Sequence, residues 1–474
     1  MGRSVIGNRA VDTVPGAVSD AFAPLAARLD DRTARLAVVG LGFVGTPVAC
    51  TLAGAGYTVV GVDVVADKVD AINAGRVPFE GEEPGLPELL ARVVADKRLV
   101  ATTDPEALRL CDAILVAVDT PVDPVTHQPV YRALEGALAA IGPRLRTGTL
   151  VVIESTLAPG TMDRVVAPAL ERTSGLRIGR DVLLVHCPER VMPGRLLANL
   201  SSMSRVVGGS TPEAADIALR LYRHVVTAPD ATLDASDALT AEIVKTGENA
   251  YRDVQIAFAN EMALVCEAAG ADVWRVRDLI NKSPGRHMLL PGAGVGGHCI
   301  PKDPWLLISG LTARLIPAAR AVNDGMPAHM ADLAADGLAE HGRTLRGSRI
   351  AVLGMSYLEN TEDDRNSPSV ALVAALAQRG ADVVAHDPWV AAYRDRTVDV
   401  VVDGVDAIVI MVAHTAYRTL DWAAIAGRVR TAVLVDGRHA VDAGMAERCG
   451  WTVRAVGIGP TRAPLRHRRD ESPG

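Results

Sequence analysis

The sequence predicts an α/β protein: two Rossmann-like, doubly wound domains joined by a helical central domain with one long helix. Three observations carry this expectation. Near residue 35 the order strand, glycine turn, helix, strand opens a βαβ rhythm. Around residue 237 the rhythm gives way to a stretch without strands. From about residue 348 it returns and echoes the first half.

The elements follow in order. Residues 1–34 read as a flexible leader outside the fold, with a short helix at "DAFAPLAARLD". "RLAVVGLGFVG" is an apolar run of strand length that ends in glycines, and "TPVACTLAGAG" reads as the helix after it. "YTVVGVD" is the second strand, ending at Asp63. "CDAILVAV", "TLVVIEST", "DVLLVHCP" and "SRVVGG" are further buried strands alternating with helical segments, which predicts an open parallel sheet covered on both faces. This first domain is placed at 35–228. The central domain, 229–335, contains "SDALTAEIVKTGENAYRDVQIAFANEMALVCEAAG", a helix of about 30 residues, roughly 45 Å long. A helix of that length usually spans a domain junction or a subunit interface. In the last domain, 336–460, "SRIAVLGMSY" answers "RLAVVGLGF" and "QRGADVVAHD" answers "GAGYTVVGVD". "VDAIVIMVAH" answers "CDAILVAVDT", and "TAVLVDGRH" answers "GTLVVIEST". The charged tail 461–474 is expected to be disordered.

Composition narrows the function classes. The 474 residues are 49% hydrophobic and 22% charged, ordinary for a globular protein, and too many for one core. The net charge of −7, without a lysine or arginine run, argues against a nucleic-acid partner. No apolar run reaches the ~18 residues of a membrane span. Six scattered cysteines show neither a disulfide framework nor a CxxC metal pair, so a reducing cytoplasm is expected and no metal.

"GLGFVG", residues 40–45, follows a strand and opens a helix. Gly40 permits the tight turn, Gly42 lets backbone approach a pyrophosphate, and Gly45 allows close helix packing. Asp63, at the end of the second strand, stands where a carboxylate accepts the ribose hydroxyls, which favours NAD over NADP. The second half lacks the later glycines: "IAVLG" runs into "MSYLENTEDDRNSP". That domain either binds another nucleotide-like group in a different way or is a structural duplicate.

The second chemical signal is "GVGGHCIPKDP", residues 294–304. Backbone amides of a glycine loop can hold an oxyanion beside Cys299, and Lys302 or another cation can lower the thiol pKa. Asp303 can hold a water or a hydroxyl. Cys50, Cys111, Cys187 and Cys266 sit in apolar contexts and read as small core residues. His298 neighbours Cys299, but adjacent side chains on extended chain point opposite ways, which disfavours a dyad. On the long helix, Lys245 and Asn249 share a face, with Arg252 and Asp253 near the next turn.

Together these residues resemble the UDP-sugar 6-dehydrogenase family, from about residue 35 to 460. Its blocks occur in order: "GLGFVG", "VDTP", "ESTLAPGT", "CPERVMPG", "AEIVKTGENAYRDVQIAFANE", "PGAGVGGHCIPKDP" and "DDRNSP". The resemblance implies an N-terminal NAD domain, a helical dimerisation domain, a C-terminal UDP domain and a homodimer or higher homo-oligomer through the central helix. It implies four-electron oxidation of a sugar C6 alcohol to a carboxylate, with Cys299 carrying a thiohemiacetal and then a thioester. Lys245 would stabilise the oxyanions, with Asn249 assisting. Asp303 would orient Lys245 or the water. Glu189 would be the general base for hydrolysis, and Thr120 would help hold that water. Gly40, Gly42, Phe43, Val44, Gly45, Asp63, Lys68, Thr120, Thr156 and Arg365 would bind NAD. Arg190, Val191, Lys245, Asn249, Arg252, Arg286 and Gly296 would meet the substrate.

"CPERVMPG" looks like the branch acting on UDP-N-acetylhexosamines, and UDP-N-acetylmannosamine is the favoured substrate. UDP-glucose and the UDP-N-acetylglucosamine and UDP-N-acetylgalactosamine epimers are the alternatives. A cysteine hydrolase on a dinucleotide fold and a catalytically silent NAD-binding scaffold are the other rivals. Two departures stand out. Leu358 replaces the family's nucleotide-contacting lysine, and in "NKSPGRHMLLPG" Ser283 replaces a histidine while Arg286 falls one place late.

Overall fold

The computed structural model describes residues 18–79, 81, 83–190, 192 and 194–459. The chain divides into two compact units, one ending at Gly247 and the other starting at Glu248. The boundary falls inside the long helix, Ala238–Ala269, whose 32 residues match the long helix expected from the sequence.

The first unit is built on eight strands. These are β1 (Arg35–Val39), β2 (Thr58–Val62), β3 (Leu99–Thr102), β4 (Ala113–Val116), β5 (Thr149–Ile153), β6 (Val182–His186), β7 (Arg205–Gly209) and β8 (Leu233–Asp237). Their spatial order is β3-β2-β1-β4-β5-β6-β7-β8. Alternate residues feed the two faces. Leu36, Val38, Leu115 and Val152 enter one core, while Ala37, Val39, Ile114 and Val151 enter the other. Burial on both faces explains why these strands read as unbroken apolar runs.

Two features depart from the expected parallel sheet. β7 pairs with β6 antiparallel, Val185 facing Gly209. β8 extends the sheet past residue 228, where the sequence reading ended the domain. Its residues, "LDASD", form a largely exposed edge, so no apolar run marks the strand.

The segment read as a leader also joins the fold. Ala23–Asp30 is a helix, and Phe22, Leu25, Ala26 and Leu29 pack into the first core. Their i, i+3, i+4, i+7 spacing makes one apolar stripe. The Tyr57 hydroxyl donates to the Leu29 carbonyl (2.8 Å). Residues 1–17 and the tail lie outside the described residues.

The second unit carries β9 (Arg349–Leu353), β10 (Asp382–His386), β11 (Ala407–Ile410), β12 (Val433–Asp436) and β13 (Thr452–Ala455) in the order β10-β9-β11-β12-β13, all parallel. The echo in the sequence is an echo in space. β2-β1-β4-β5 is repeated as β10-β9-β11-β12, and Ile350 faces Ala407 as Leu36 faces Ala113. Even the aspartate before the third repeated strand is kept. Asp112 accepts from the Arg35 amide (2.9 Å), and Asp406 from the Arg349 amide (2.8 Å).

The helical middle does not build a core of its own in this unit. Ala259, Ala263 and Cys266 of the long helix and Met326, Met330 and Ala334 of the helix Leu315–Ala339 share one cluster with Ile350, Val352 and Val409. The division read from sequence at residue 335 therefore cuts through a common core.

Leu29→Ala removes a fully buried side chain from the joint between the first helix and the sheet. It is expected to lower stability by about 2–5 kcal/mol, read as an earlier urea-unfolding midpoint.

Candidate active site

In the first unit the glycine turn follows β1. Gly40 has φ +92°, and a Cβ there would stand 2.6 Å from the Ala117 carbonyl. A Cβ on Gly45 would stand 1.8 Å from the Gly40 carbonyl, so the helix Gly45–Gly54 starts hard against the turn. Gly42 faces open space, the room that a pyrophosphate needs. Asp63 ties the turn to the end of β2: Oδ2 accepts from the Leu41 amide (2.7 Å) and Oδ1 from the Val65 amide (2.9 Å). With only these two described donors, its oxygens keep lone pairs for ribose hydroxyls. Phe43 packs against Phe79 in a tilted pair with ring centres 5.1 Å apart, Val44 caps the helix, and Lys68 is half-buried on the helix Ala66–Asn73.

The structure brings Thr120 and Thr156 together. The Thr120 hydroxyl donates to the Thr156 carbonyl (2.6 Å). Ser155, which the sequence reading passed over, straps the same two loops: it accepts from the Val118 amide (2.9 Å) and donates to the Val118 carbonyl (2.7 Å). Glu242 of the long helix accepts from the amides of Gly160 (2.5 Å) and Met162 (2.8 Å), and burial pushes it up to about 7. Lys245, one turn on, is buried. Its charge adds to the burial that holds His186 down at about 4.

Glu189 does not stand alone. Oε2 forms a buried ion pair with Arg205, and Oε1 accepts from the Arg190 amide (3.0 Å). Arg190 Nη1 reaches the Ser204 carbonyl (3.0 Å). Glu83 pins the same loop through the amides of Gly194 (2.6 Å) and Leu196 (3.1 Å). Val191 lies outside the described residues.

In the second unit Cys299 is exposed, whereas Cys50, Cys111, Cys187 and Cys266 are buried and Cys449 is half-buried. The loop before Cys299 is held from the strand-end side of the second sheet. The Gly297 amide donates to the Arg365 carbonyl (2.9 Å), and Asn366 Nδ2 donates to the Gly297 carbonyl (3.1 Å). Arg438 Nη2 donates to the Gly294 carbonyl (3.0 Å). The Tyr357 side chain lies against Gly296 and Gly297, where a Cβ would stand 2.5 and 2.9 Å from it, so these positions admit only glycine without displacement. Burial and Asp363 push the Tyr357 hydroxyl up to about 12, and the Cys299 charge adds to this. Arg365 forks onto Asp363 (2.8 and 2.6 Å), and its carbonyl, which takes the Gly297 amide, places it beside the loop before Cys299.

Asp303 is fully buried. It accepts from Asn249 Nδ2 (2.6 Å) and pairs with Lys302 Nζ (2.8 Å). Lys302 is therefore bound up with Asp303 rather than set as a separate cation for the thiol. Arg252 and Arg286 are exposed, and Arg286 Nη1 folds back on the Pro284 carbonyl (3.0 Å). Asp253, beside Arg252, starts a ladder that the sequence did not disclose. Arg320 donates to Asp253 (2.6 Å), Asn323 donates to Asp253 (2.8 Å), Asn260 to Asn323 (2.8 Å), and the Gly292 amide to Asn260 (2.9 Å). The ladder ends at the root of the glycine loop that leads to Cys299. Its only trace in the sequence is polar residues inside apolar helical runs.

The second glycine turn shows why it does not copy the first. Gly354 has φ +96°, and Asp387 occupies the place of Asp63. Asp387 Oδ2 accepts from the Met355 and Ser356 amides (2.6 and 2.9 Å) and meets His414 Nε2 (3.1 Å), while Oδ1 takes the Trp389 and Val390 amides (2.8 and 3.0 Å). Burial works against its charge, yet these donors hold it well below the carboxylate range. No lone pair remains for a ribose. Leu358, at the place of the family lysine, is half-exposed.

Burial pushes the thiols of Cys50 and Cys187 up to about 12 and that of Cys111 to about 11, and it raises Cys266. Brief iodoacetamide treatment of the folded protein near neutral pH is expected to label Cys299 first, as read by peptide mass spectrometry.

Comparison with known proteins places this geometry. The chain matches the UDP-glucose/GDP-mannose dehydrogenase family in its NAD binding domain (residues 34–226), central domain (239–325) and UDP binding domain (351–443). It is 37% identical over 427 residues to UDP-N-acetyl-D-mannosamine dehydrogenase of Pyrococcus horikoshii, covering 90% of this chain and 99% of that one. It is 36% identical over 434 residues to NDP-N-acetyl-D-galactosaminuronic acid dehydrogenase of Ralstonia solanacearum, covering 87% and 97%. The solved structure of UDP-D-ManNAc dehydrogenase from Pyrococcus horikoshii matches with a TM-score of 0.84 at 37% identity, covering 90% of this chain and 99% of that one. The chain belongs to the UDP-glucose/GDP-mannose dehydrogenase family and is an NAD-dependent nucleotide-sugar dehydrogenase.

Proposed function

We propose that this enzyme oxidises the C6 hydroxyl of a UDP-N-acetylhexosamine to the uronic acid, with UDP-N-acetylmannosamine as the preferred substrate. The observation that carries the chemistry is an exposed Cys299 on a glycine loop held at both ends, with buried Asp303 and half-buried Asn249 and Lys302 beside it. The sugar choice is supported by the N-acetylated substrates in the names of the relatives and by "CPER" at Glu189.

Bound NAD supplies the hydride acceptor for both oxidations, held by the Gly40–Gly45 turn and Asp63, with Thr120 and Thr156 on the adjoining loops. The chain's own residues do the rest. Cys299 Sγ adds to the C6 aldehyde as a thiohemiacetal, and after the second oxidation it carries the sugar acid as a thioester. Water attacks the thioester carbon, the C–S bond breaks, and the thiol is regenerated. Lys245 stabilises the C6 oxyanions. Asn249, oriented by Asp303, donates to the same oxygen. Glu189 Oε1 keeps a lone pair that accepts a hydrogen bond from the attacking water, while Arg205 holds the other oxygen. Arg190 borders the sugar.

The oligomer is proposed to form through the long helix. Tyr251, Phe258 and Val265 recur every seventh residue and are 66%, 55% and 53% exposed, an apolar stripe suited to a second copy. A cytoplasmic location fits the cysteine usage.

Incubation with NAD and a panel of UDP-sugars is expected to yield two NADH per UDP-N-acetylmannosamine, followed by absorbance. One NADH per sugar would rule out the thioester route, and turnover of UDP-glucose alone would move the enzyme to another branch. Cys299→Ser is expected to lower acid formation by about a hundredfold or more while NAD affinity stays at the wild-type value. Phe258→Asp is expected to shift the mass in light scattering toward the monomer.

A further inference from the structure

Glu189 and Arg205 belong to a buried cluster whose other members, Glu154, Cys187 and Tyr222, have no role in the proposed reaction. Glu154 follows β5, and Cys187 and Glu189 follow β6. Arg205 opens β7, and Tyr222 closes the helix Pro212–Tyr222. Glu154 is 3% exposed, Glu189 8% and Arg205 3%. The Tyr222 hydroxyl donates to Glu154 Oε1 (2.7 Å), and the Arg205 guanidinium stands 5.0 Å from the Tyr222 ring centre. The Glu189 amide donates to the Glu154 carbonyl (3.3 Å), which keeps the two glutamates on adjoining loops. Glu154 Oε2 is buried with no hydrogen-bond partner.

The cluster thus holds two buried carboxyl groups and one guanidinium. Arg205 pairs with Glu189. A second carboxylate would leave a net buried negative charge and a bare anionic oxygen, and either is costly away from water. Tyr222 and Cys187 do not offer relief, since burial holds both protonated. His186, beside Cys187, is neutral because burial holds it near 4.

We infer that Glu154 is a positioning residue: it stays protonated in the resting enzyme and leaves Glu189 as the carboxylate paired with Arg205, so that Glu189 is a fixed, charged acceptor. This rests on the reading of Glu189 given above. Burial, with the Glu189 charge, pushes Glu154 up to about 8, against the pull of Arg205 and the Tyr222 hydrogen bond. As pH rises through that range the proton leaves, and a second anion competes for Arg205.

The sign for stability follows. A carboxyl group with a raised folded-state pKa keeps a proton that the unfolded chain gives up. Its stabilising contribution is full below the ordinary carboxylate range and is lost as pH rises toward about 8. Glu154→Gln keeps the acceptor for Tyr222 and cannot ionise.

The protein is tested without substrate first. Infrared difference spectra of the wild type are expected to show a protonated carboxyl band at neutral pH that fades on the alkaline side and is missing in Glu154→Gln. The Tm of the variant is expected to gain on the wild type between about pH 5 and about pH 9. Tyr222→Phe, which removes a donor that favours the charged form, should move the fading of the band to higher pH. With substrate, kcat should fall less steeply on the alkaline side for Glu154→Gln, with KM following the wild-type curve. No protonated band at neutral pH, or a Tm difference that ignores pH, would overturn the inference whatever the substrate proves to be. Identical alkaline profiles would overturn its link to Glu189 while leaving the oxidation itself intact.

Discussion

Both sheets depend on one recurring constraint: a carboxylate at the end of the second strand captures the backbone amide just past the first strand's glycine. Asp63 does this at Leu41, and Asp387 at Met355. A positive-φ glycine turns the chain sharply, and the carboxylate stops the turn from opening. The loops that matter leave from these anchored turns. In the first unit the turn starts the helix Gly45–Gly54 of the NAD binding domain. In the second, the loop beginning at Met355 supplies Tyr357, Arg365 and Asn366, which hold the backbone before Cys299.

The loop before Cys299 is therefore shaped by two supports in its own unit. One is the strand-end loop of the second sheet. The other is the ladder of Arg320, Asp253, Asn323 and Asn260 that reaches the Gly292 amide. A buried polar chain of this kind costs desolvation, and each member is repaid only while its neighbours stay in register. It fixes geometry more than it adds stability. This suits a loop whose glycines would otherwise be mobile.

Much of this was legible in the sequence because its signals are local. A strand, three spaced glycines and an aspartate one strand later lie within 29 residues, Arg35 to Asp63. The repeat of that pattern, and the uninterrupted helix, are likewise read along the chain. What stayed hidden depends on partners far apart in sequence. Arg205 reads as the first residue of an apolar strand, and nothing in "SRVVGG" shows that it lies buried against Glu189. Lys302 reads as a free cation until Asp303 is seen to take it. The antiparallel β7 and the exposed β8 were missed because strand direction leaves no mark on composition and an edge strand has no apolar run to betray it. The helix at residue 23 was undervalued because its stripe is short and precedes the first obvious strand.

The full set of donors on Asp387 bears on a chain that carries one strand arrangement twice. Two copies of one fold in a single polypeptide carry the hazard of two copies of one affinity, and a dinucleotide captured in the wrong half would act as an internal competitor. Here the second half is closed to it by saturation rather than by bulk: the carboxylate is kept, but every lone pair is spent on its own backbone and on His414. The fold is conserved by the same group whose binding capacity is withdrawn, which left the second half at liberty to take on a different nucleotide.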